Sequence, residues 1–225
     1  MGNNLLNTEL HDLQEKLLRA ASLVEQNASR AVQALLERNE ELAKAVEAAD
    51  AAIDEMEKII DQAVMAVLYR QRPVAHDLRQ AFTTAKISTD LERVGDAAVS
   101  IARAVRKLTV LPTLDLKTDL SRIGQSSVAM LREATASIPA PDAAKLEALI
   151  ARDKELDRMH KELIEEVTRL ATADGARAAA AIQMVIVARN LERIGDHATN
   201  IAEELIFLAQ AVDVRHTQDA ANQPA

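Results

Sequence analysis

Residues 87–108 read ISTDLERVGDAAVSIARAVRKL, with apolar members at Ile87, Leu91, Val94, Ala98, Ile101, Val105 and Leu108. Steps of four and three residues stack side chains on one face of an α-helix, so this stretch is a buried helical seam. The preceding segment repeats the pattern at Leu42, Val46, Ala49, Ile53, Met56 and Ile60. Core packing explains both stripes without a cofactor. Outward from them, Pro73, Pro112, Pro139, Pro141 and Pro224 are the only prolines, and all fall between periodic stretches. Proline interrupts helices, so these positions punctuate the chain. Six helical segments are predicted, at 5–37, 40–70, 74–109, 115–137, 143–171 and 175–212. Asn39, Asp142 and Asp174 stand where side-chain caps are needed for the segments that follow them.

Composition agrees with an all-α fold. Of the 225 residues only Tyr69, Phe82 and Phe207 are aromatic, which disfavours strands and leaves an aliphatic core. With no cysteine there is no disulfide, no Cys-ligated zinc or iron–sulfur site and no thiol nucleophile. Lys and Arg total 27 against 35 Asp and Glu, and the net charge of −8 argues against a nucleic-acid binder. The most apolar run, 178–188, contains Gln183 and is bracketed by Arg177 and Arg189, too short to cross a bilayer. The first residues lack a basic region followed by an apolar run, so a cytoplasmic chain is expected.

LERVGD at 91–96 returns as LERIGD at 191–196, and Ala98, Ile101 and Ala102 return as Ala198, Ile201 and Ala202, all at an offset of 100. At an offset of 103, Asp50 and Asp54 match Asp153 and Asp157, and Asn39 matches Asp142. A three-residue break between the second and third helices reconciles the offsets. The chain is therefore read as two tandem, pseudo-symmetric three-helix bundles. Their expected extents are 1–110 and 111–213, with a polar tail at 214–225.

Each half carries two acidic pairs at i, i+4: Asp50/Asp54 and Glu92/Asp96, then Asp153/Asp157 and Glu192/Asp196. Like charges so spaced lie on one face and repel mildly, so their repetition suggests a cation between them. On a helical wheel Glu92 and Asp96 point away from the seam, while Asp50, Asp54, Glu57 and Asp61 flank it. Accessible metal clusters on the outer face of each half are thus expected, the competing reading being a solvated acidic face. Oxygen ligands favour Mg²⁺, Mn²⁺, Ca²⁺ or iron over copper. His160 and His197 could add imidazole in the second half, although a structural role is the simpler account of each alone. Gly95 and Gly195 recur in mid-helix, where glycine costs about 1 kcal/mol relative to alanine. Either a neighbouring helix comes close there, or bulk beside the acids would block an ion. Arg93 and Arg193 recur as surface ion-pair or partner-contacting residues.

LERVGDAAVSIA at 91–102 and NLERIGDHATNIAEEL at 190–205, with acidic pairs on the preceding helices, resemble the PhoU family of bacterial phosphate-signalling regulators. The resemblance covers nearly the whole chain. It implies a non-enzymatic cytoplasmic adaptor, often a homodimer, between the ATPase subunit of the phosphate ABC transporter and a phosphate-sensing histidine kinase. Such an adaptor would repress the phosphate-starvation response and meet the membrane only through partners. It also implies iron, zinc, manganese or magnesium held by Glu92, Asp96, Glu192 and Asp196, with Asp50, Asp54, Asp153 and Asp157 as matching acids. Ala97 and Ser100 stand where the second half has His197 and Asn200, so the two sites are expected to differ in affinity.

Two other readings compete. A carboxylate-bridged di-metal enzyme would use Glu-x-x-His on two helices, whereas this chain offers one Asp-x-x-His at 157 and 160. A metal-independent helical scaffold predicts that ion removal changes nothing. No nucleophile elbow, phosphate loop or His-Glu-x-x-His supports a hydrolase.

Overall fold

Polar caps fix where the helices begin. The structure, a computed structural model, describes residues 2–214. It contains α1 (Gly2–Glu37), α2 (Glu40–Gln71), α3 (Ala75–Leu108), α4 (Leu120–Ala136), α5 (Ala143–Ala173) and α6 (Ala178–Gln210), with a 3₁₀ turn at Gly175–Arg177. No strand occurs among the described residues. The Asn39 side chain accepts the Leu42 amide at 3.1 Å, and the Asp142 carboxylate accepts those of Ala144 and Lys145 at 3.1 and 3.3 Å. Each satisfies amides that a helix start leaves free. Asp174 caps the 3₁₀ turn through the Ala176 amide at 3.0 Å, so the α-helix proper starts three residues later than expected.

α4 departs most from the sequence reading. It begins at Leu120, not near 115, because the Asp119 carboxylate caps it through the Arg122 amide at 3.0 Å. Just upstream, the amides of Lys117 and Thr118 donate to the Glu166 carboxylate at 2.8 and 2.9 Å, and the Thr118 hydroxyl donates at 2.7 Å. These bonds hold 117–118 out of helical register. Of the expected polar tail, Val214 packs partly buried on the core, and 215–225 lie outside the described residues.

Within each half the first two helices pack on the third: α1 and α2 on α3, α4 and α5 on α6. α3 also packs along α6, and α1 meets α4. The α3–α6 contact is antiparallel, since Lys86 pairs with Glu204 at 2.6 Å while Asp90 meets His197 at 2.8 Å and Asn200 at 3.3 Å. The seam residues Ile87, Leu91, Val94, Ala98, Ile101, Val105 and Leu108 are all buried, as are Leu191, Ile194, Ala198, Ile201 and Ala202. One hydrophobic cluster runs from Leu10 to Ile206, and its buried members are Leu, Ile, Val, Ala and Met only. Burial of this aliphatic surface, worth about 25 cal/mol per Å², drives the assembly.

Candidate metal centre

Of the two acids the wheel placed outward, Glu92 is turned inward while Asp96 stays accessible, its side chain 45% exposed. The Glu92 side chain is only 19% exposed. α3 is packed by α1, α2 and α6, which leaves only a narrow strip of it, marked by Arg93 and Arg103, to solvent. Its acids lie along the α2–α3 groove, where Asp50 feels Asp54 and Asp96, and Glu92 feels Asp96, Glu57 and Asp54. The second half repeats this between α5 and α6: Asp153 feels Asp157 and Asp196, and Glu192 feels Asp157 and Asp153. All eight sequence-predicted acids are thus brought together in two groups of four.

The groups differ in tightness and counter-charge. Ligand oxygens of Asp153, Asp157 and Asp196 come within 4.8 Å of one another, the one group of three or more acidic or histidine side chains among the described residues to do so. Burial first, then neighbouring carboxylates, pushes Asp153 and Asp196 up to about 6. Glu192 is raised for the same reasons, with Arg189 opposing. In the first half Asp50 and Glu92 are also raised by burial, opposed by Arg103 and Arg93 respectively. Arg93 lies 3.5 Å from Glu92 and 3.8 Å from Asp96. Among the described residues no arginine makes an ion pair with Asp153, Asp157, Glu192 or Asp196.

The residues of the second half fit a cation. His160 Nε2 is buried without a hydrogen-bond partner and Asp153 Oδ1 is buried with only the Thr199 hydroxyl, too poorly placed for a well-formed hydrogen bond, set against its charge; such groups are costly unless something pairs with them. Burial lowers the His160 pKa, assisted by Arg189 and opposed by Asp157 and Asp196, which keeps the ring neutral and able to ligate. His197 is engaged elsewhere: its Nδ1 meets Asp90 across the α3–α6 interface. Gly195 keeps space clear beside the acids, because a Cβ there would lie 2.2 Å from Leu156 Cδ2 and 3.7 Å from Asp153 Oδ1. At Gly95 the corresponding contact is Ile53 Cγ2, at 3.1 Å. Helix approach therefore accounts for both glycines, and in the second half the approach also positions a carboxylate.

A family model, the PhoU domain, matches residues 17–105 and again 120–205, once on each half. The chain belongs to the PhoU family. It is 32% identical over 209 residues to the phosphate-specific transport system accessory protein PhoU homolog of Clostridium acetobutylicum, spanning 92% of this chain and 95% of that protein. To the homolog from Pseudomonas aeruginosa it is 35% identical over 211 residues, spanning 93% and 87%. The fold matches the crystal structure of PhoU from Pseudomonas aeruginosa with a TM-score of 0.88 at 33% identity, covering 92% of this chain and 99% of that one. It matches the phosphate transport system regulatory protein PhoU from Streptococcus pneumoniae at a TM-score of 0.85 and 28% identity, covering 93% and 99%.

In this PhoU-family chain the interface pair Asp90–His197 escaped the sequence reading. The duplication hid it, because Asp90 corresponds to Asn190 and His197 to Ala97. The signal available was that the two copies differ in charge at both places, Asp90 against Asn190 and His197 against Ala97.

Proposed function

We propose that this chain is a non-enzymatic regulator of phosphate uptake and signalling. It acts in the cytoplasm, represses the phosphate-starvation response, and links the ATPase subunit of a phosphate ABC transporter to a phosphate-sensing histidine kinase. The observation that carries the reading is the family match on both halves, with relatives named as accessory proteins of the phosphate-specific transport system along more than nine-tenths of the chain. No described helix is long and apolar enough to cross a membrane, which accords with an adaptor that works beside a transporter.

Cations belong to the same reading. Asp153, Asp157, Glu192 and Asp196, with His160 adjacent, would hold one or more ions in the second half; Asp50, Asp54, Glu92 and Asp96 would do so in the first. The donors are oxygen with one imidazole, a set suited to magnesium, manganese or iron, and to zinc where the histidine joins. A bound cation would supply positive charge that cancels the carboxylate repulsion and stiffens each helix pair. The chain would work as a homodimer.

A deletion strain carrying a phosphate-repressible reporter tests the regulatory claim. Expression in high phosphate is the expected result, and continued repression would sink the proposal. Pull-down against the ATPase subunit and the kinase tests the link, and elemental analysis of Glu92→Ala/Asp96→Ala/Glu192→Ala/Asp196→Ala tests the ligands. Unchanged metal content would overturn the site.

A further inference from the structure

The α2–α3 hairpin ends in exposed apolar side chains. Tyr69 is 83% exposed, Val74 74%, Met65 65%, Phe82 50% and Leu78 45%. They continue the acid-bearing face: at about 100° per residue, Met65 and Tyr69 lie within about 60° of Asp54, and Leu78 and Phe82 within about 80° of Glu92. Two of the chain's three aromatics thus stand in solvent while its core contains none that is fully buried. Exposed clusters of this kind mark contact surfaces.

The fold does not require them. At the matching positions of the second half stand Thr168, Thr172, Ala178 and Ile182 in place of Met65, Tyr69, Leu78 and Phe82. The charge of the hairpin's own sequence is equally particular, although deeper down, beside Phe82, Asp61, Asp90, Glu203 and Glu204 line a shared hollow. Between residues 62 and 89 there is one acid, Asp77, against Arg70, Arg72, Arg79 and Lys86, in a chain where acids outnumber bases. Lys86 pairs with Glu204 and lies over the Phe82 ring at 5.1 Å, while the three arginines make no ion pair among the described residues. The equivalents of Arg70, Arg72 and Arg79 are Ala173, Gly175 and Ala179.

We propose that the tip of the α2–α3 hairpin, through Tyr69, Val74, Leu78 and Phe82 with Arg70 and Arg72, docks onto an anionic lipid bilayer surface. A convex end that mixes tyrosine, aliphatic groups and unpaired arginines matches the interfacial layer of a membrane, where aromatic rings settle and cationic side chains meet lipid phosphates. A partner protein would be better served by a groove or a flat face. The acidic remainder of the molecule does not prevent this, because charges more than about 10 Å from the surface are screened at physiological salt. The family resemblance implied membrane contact only through partners; a hairpin end adds direct contact and needs no spanning segment. The inference is independent of the regulatory reading, which concerns proteins.

Co-sedimentation of the full chain with vesicles tests it. Binding to phosphatidylcholine vesicles containing phosphatidylglycerol should exceed binding to phosphatidylcholine alone by at least about tenfold. Arg70→Gln/Arg72→Gln should weaken it about 30-fold, at about fivefold per arginine, and Tyr69→Ser/Phe82→Ser by more than about tenfold. Ile182→Ser, at the equivalent exposed position of the other half, should bind as the parent does. All variants should melt at the parent temperature by circular dichroism, because the changed side chains are exposed. A parent chain that stays in the supernatant, equal binding to neutral vesicles, or tip variants that sediment unchanged would each overturn the proposal. Retention on native membranes that is lost after protease treatment, without vesicle binding, would assign the tip to a protein instead.

Discussion

The two acidic clusters began as one arrangement and now handle the same repulsion differently. In the first half Arg93 and Arg103 stand beside the carboxylates, and the four acids are loosely gathered. In the second half no arginine makes an ion pair with the four acids among the described residues, three oxygens crowd within 4.8 Å, and Asp153 and Asp196 are pushed up to about 6 by burial and neighbouring carboxylates. Duplication preserved the acids and let the counter-charges drift. The first cluster is partly neutralised from within the chain, whereas the second depends on a proton or a cation from outside.

The contrast can be broken at its strongest point by Glu166→Ala. Glu166 is buried, and burial would raise its pKa, but the amides of Lys117 and Thr118 and the Thr118 hydroxyl hold it below the usual carboxylate range. Its first-half equivalent is Ala63, so only the second bundle has this tie. Losing it should cost about 3 kcal/mol in urea unfolding, since three charge-assisted bonds go and two amides lose their partner. Ala63→Ser should be nearly neutral. Next, Gly195→Ala should cost about 2 kcal/mol, because its Cβ would drive into Leu156, while Gly95→Ala, which asks only a small shift of Ile53, should stay within about 1 kcal/mol of the parent.

A smaller effect tests the electrostatics directly. A carboxyl whose folded pKa exceeds its unfolded value keeps its proton longer when folded. The raised values of Asp153 and Asp196 therefore favour folding at low pH, and that advantage disappears as pH rises from about 4 to about 6. Without metal, Asp153→Asn should gain about 1 kcal/mol at pH 7, after discounting for screening, and nothing at pH 4. Thermal melts at the two pH values check this; equal gains would refute the buried repulsion. Smallest of all, Arg93→Ala should lose under about 1 kcal/mol, since Arg93 is half exposed. A larger loss would mean that the first cluster depends on its arginine as heavily as the second would on a cation.

Much of the fold was legible because the four–three seam is a local signal. The burial of Ile87 through Leu108 and the caps at Asn39 and Asp142 followed from neighbours in sequence. The duplication then located all eight acids. What it could not supply was their surroundings. A wheel drawn for α3 alone does not show which neighbours pack on it, so Glu92 was expected in solvent and lies in the α2–α3 groove, while Asp96 is accessible as the wheel suggested. Glu166 reaches its amides across 48 and 49 residues, a partnership without any local signature. The exposed tip residues Met65, Tyr69 and Leu78 lie between the two seams that the periodicity picked out, where the local pattern gives no sign of burial or exposure.

The unbroken core across α3 and α6 sets the terms on which the two copies can evolve. Along these two helices Ala98 and Ala198, Ile101 and Ile201, and Ala102 and Ala202 are identical and buried. Neither repeat can change girth along its seam without disturbing a core that both share. One copy carries an apolar tip where the other carries threonines, but neither half could stand alone without exposing the face that α3 and α6 share.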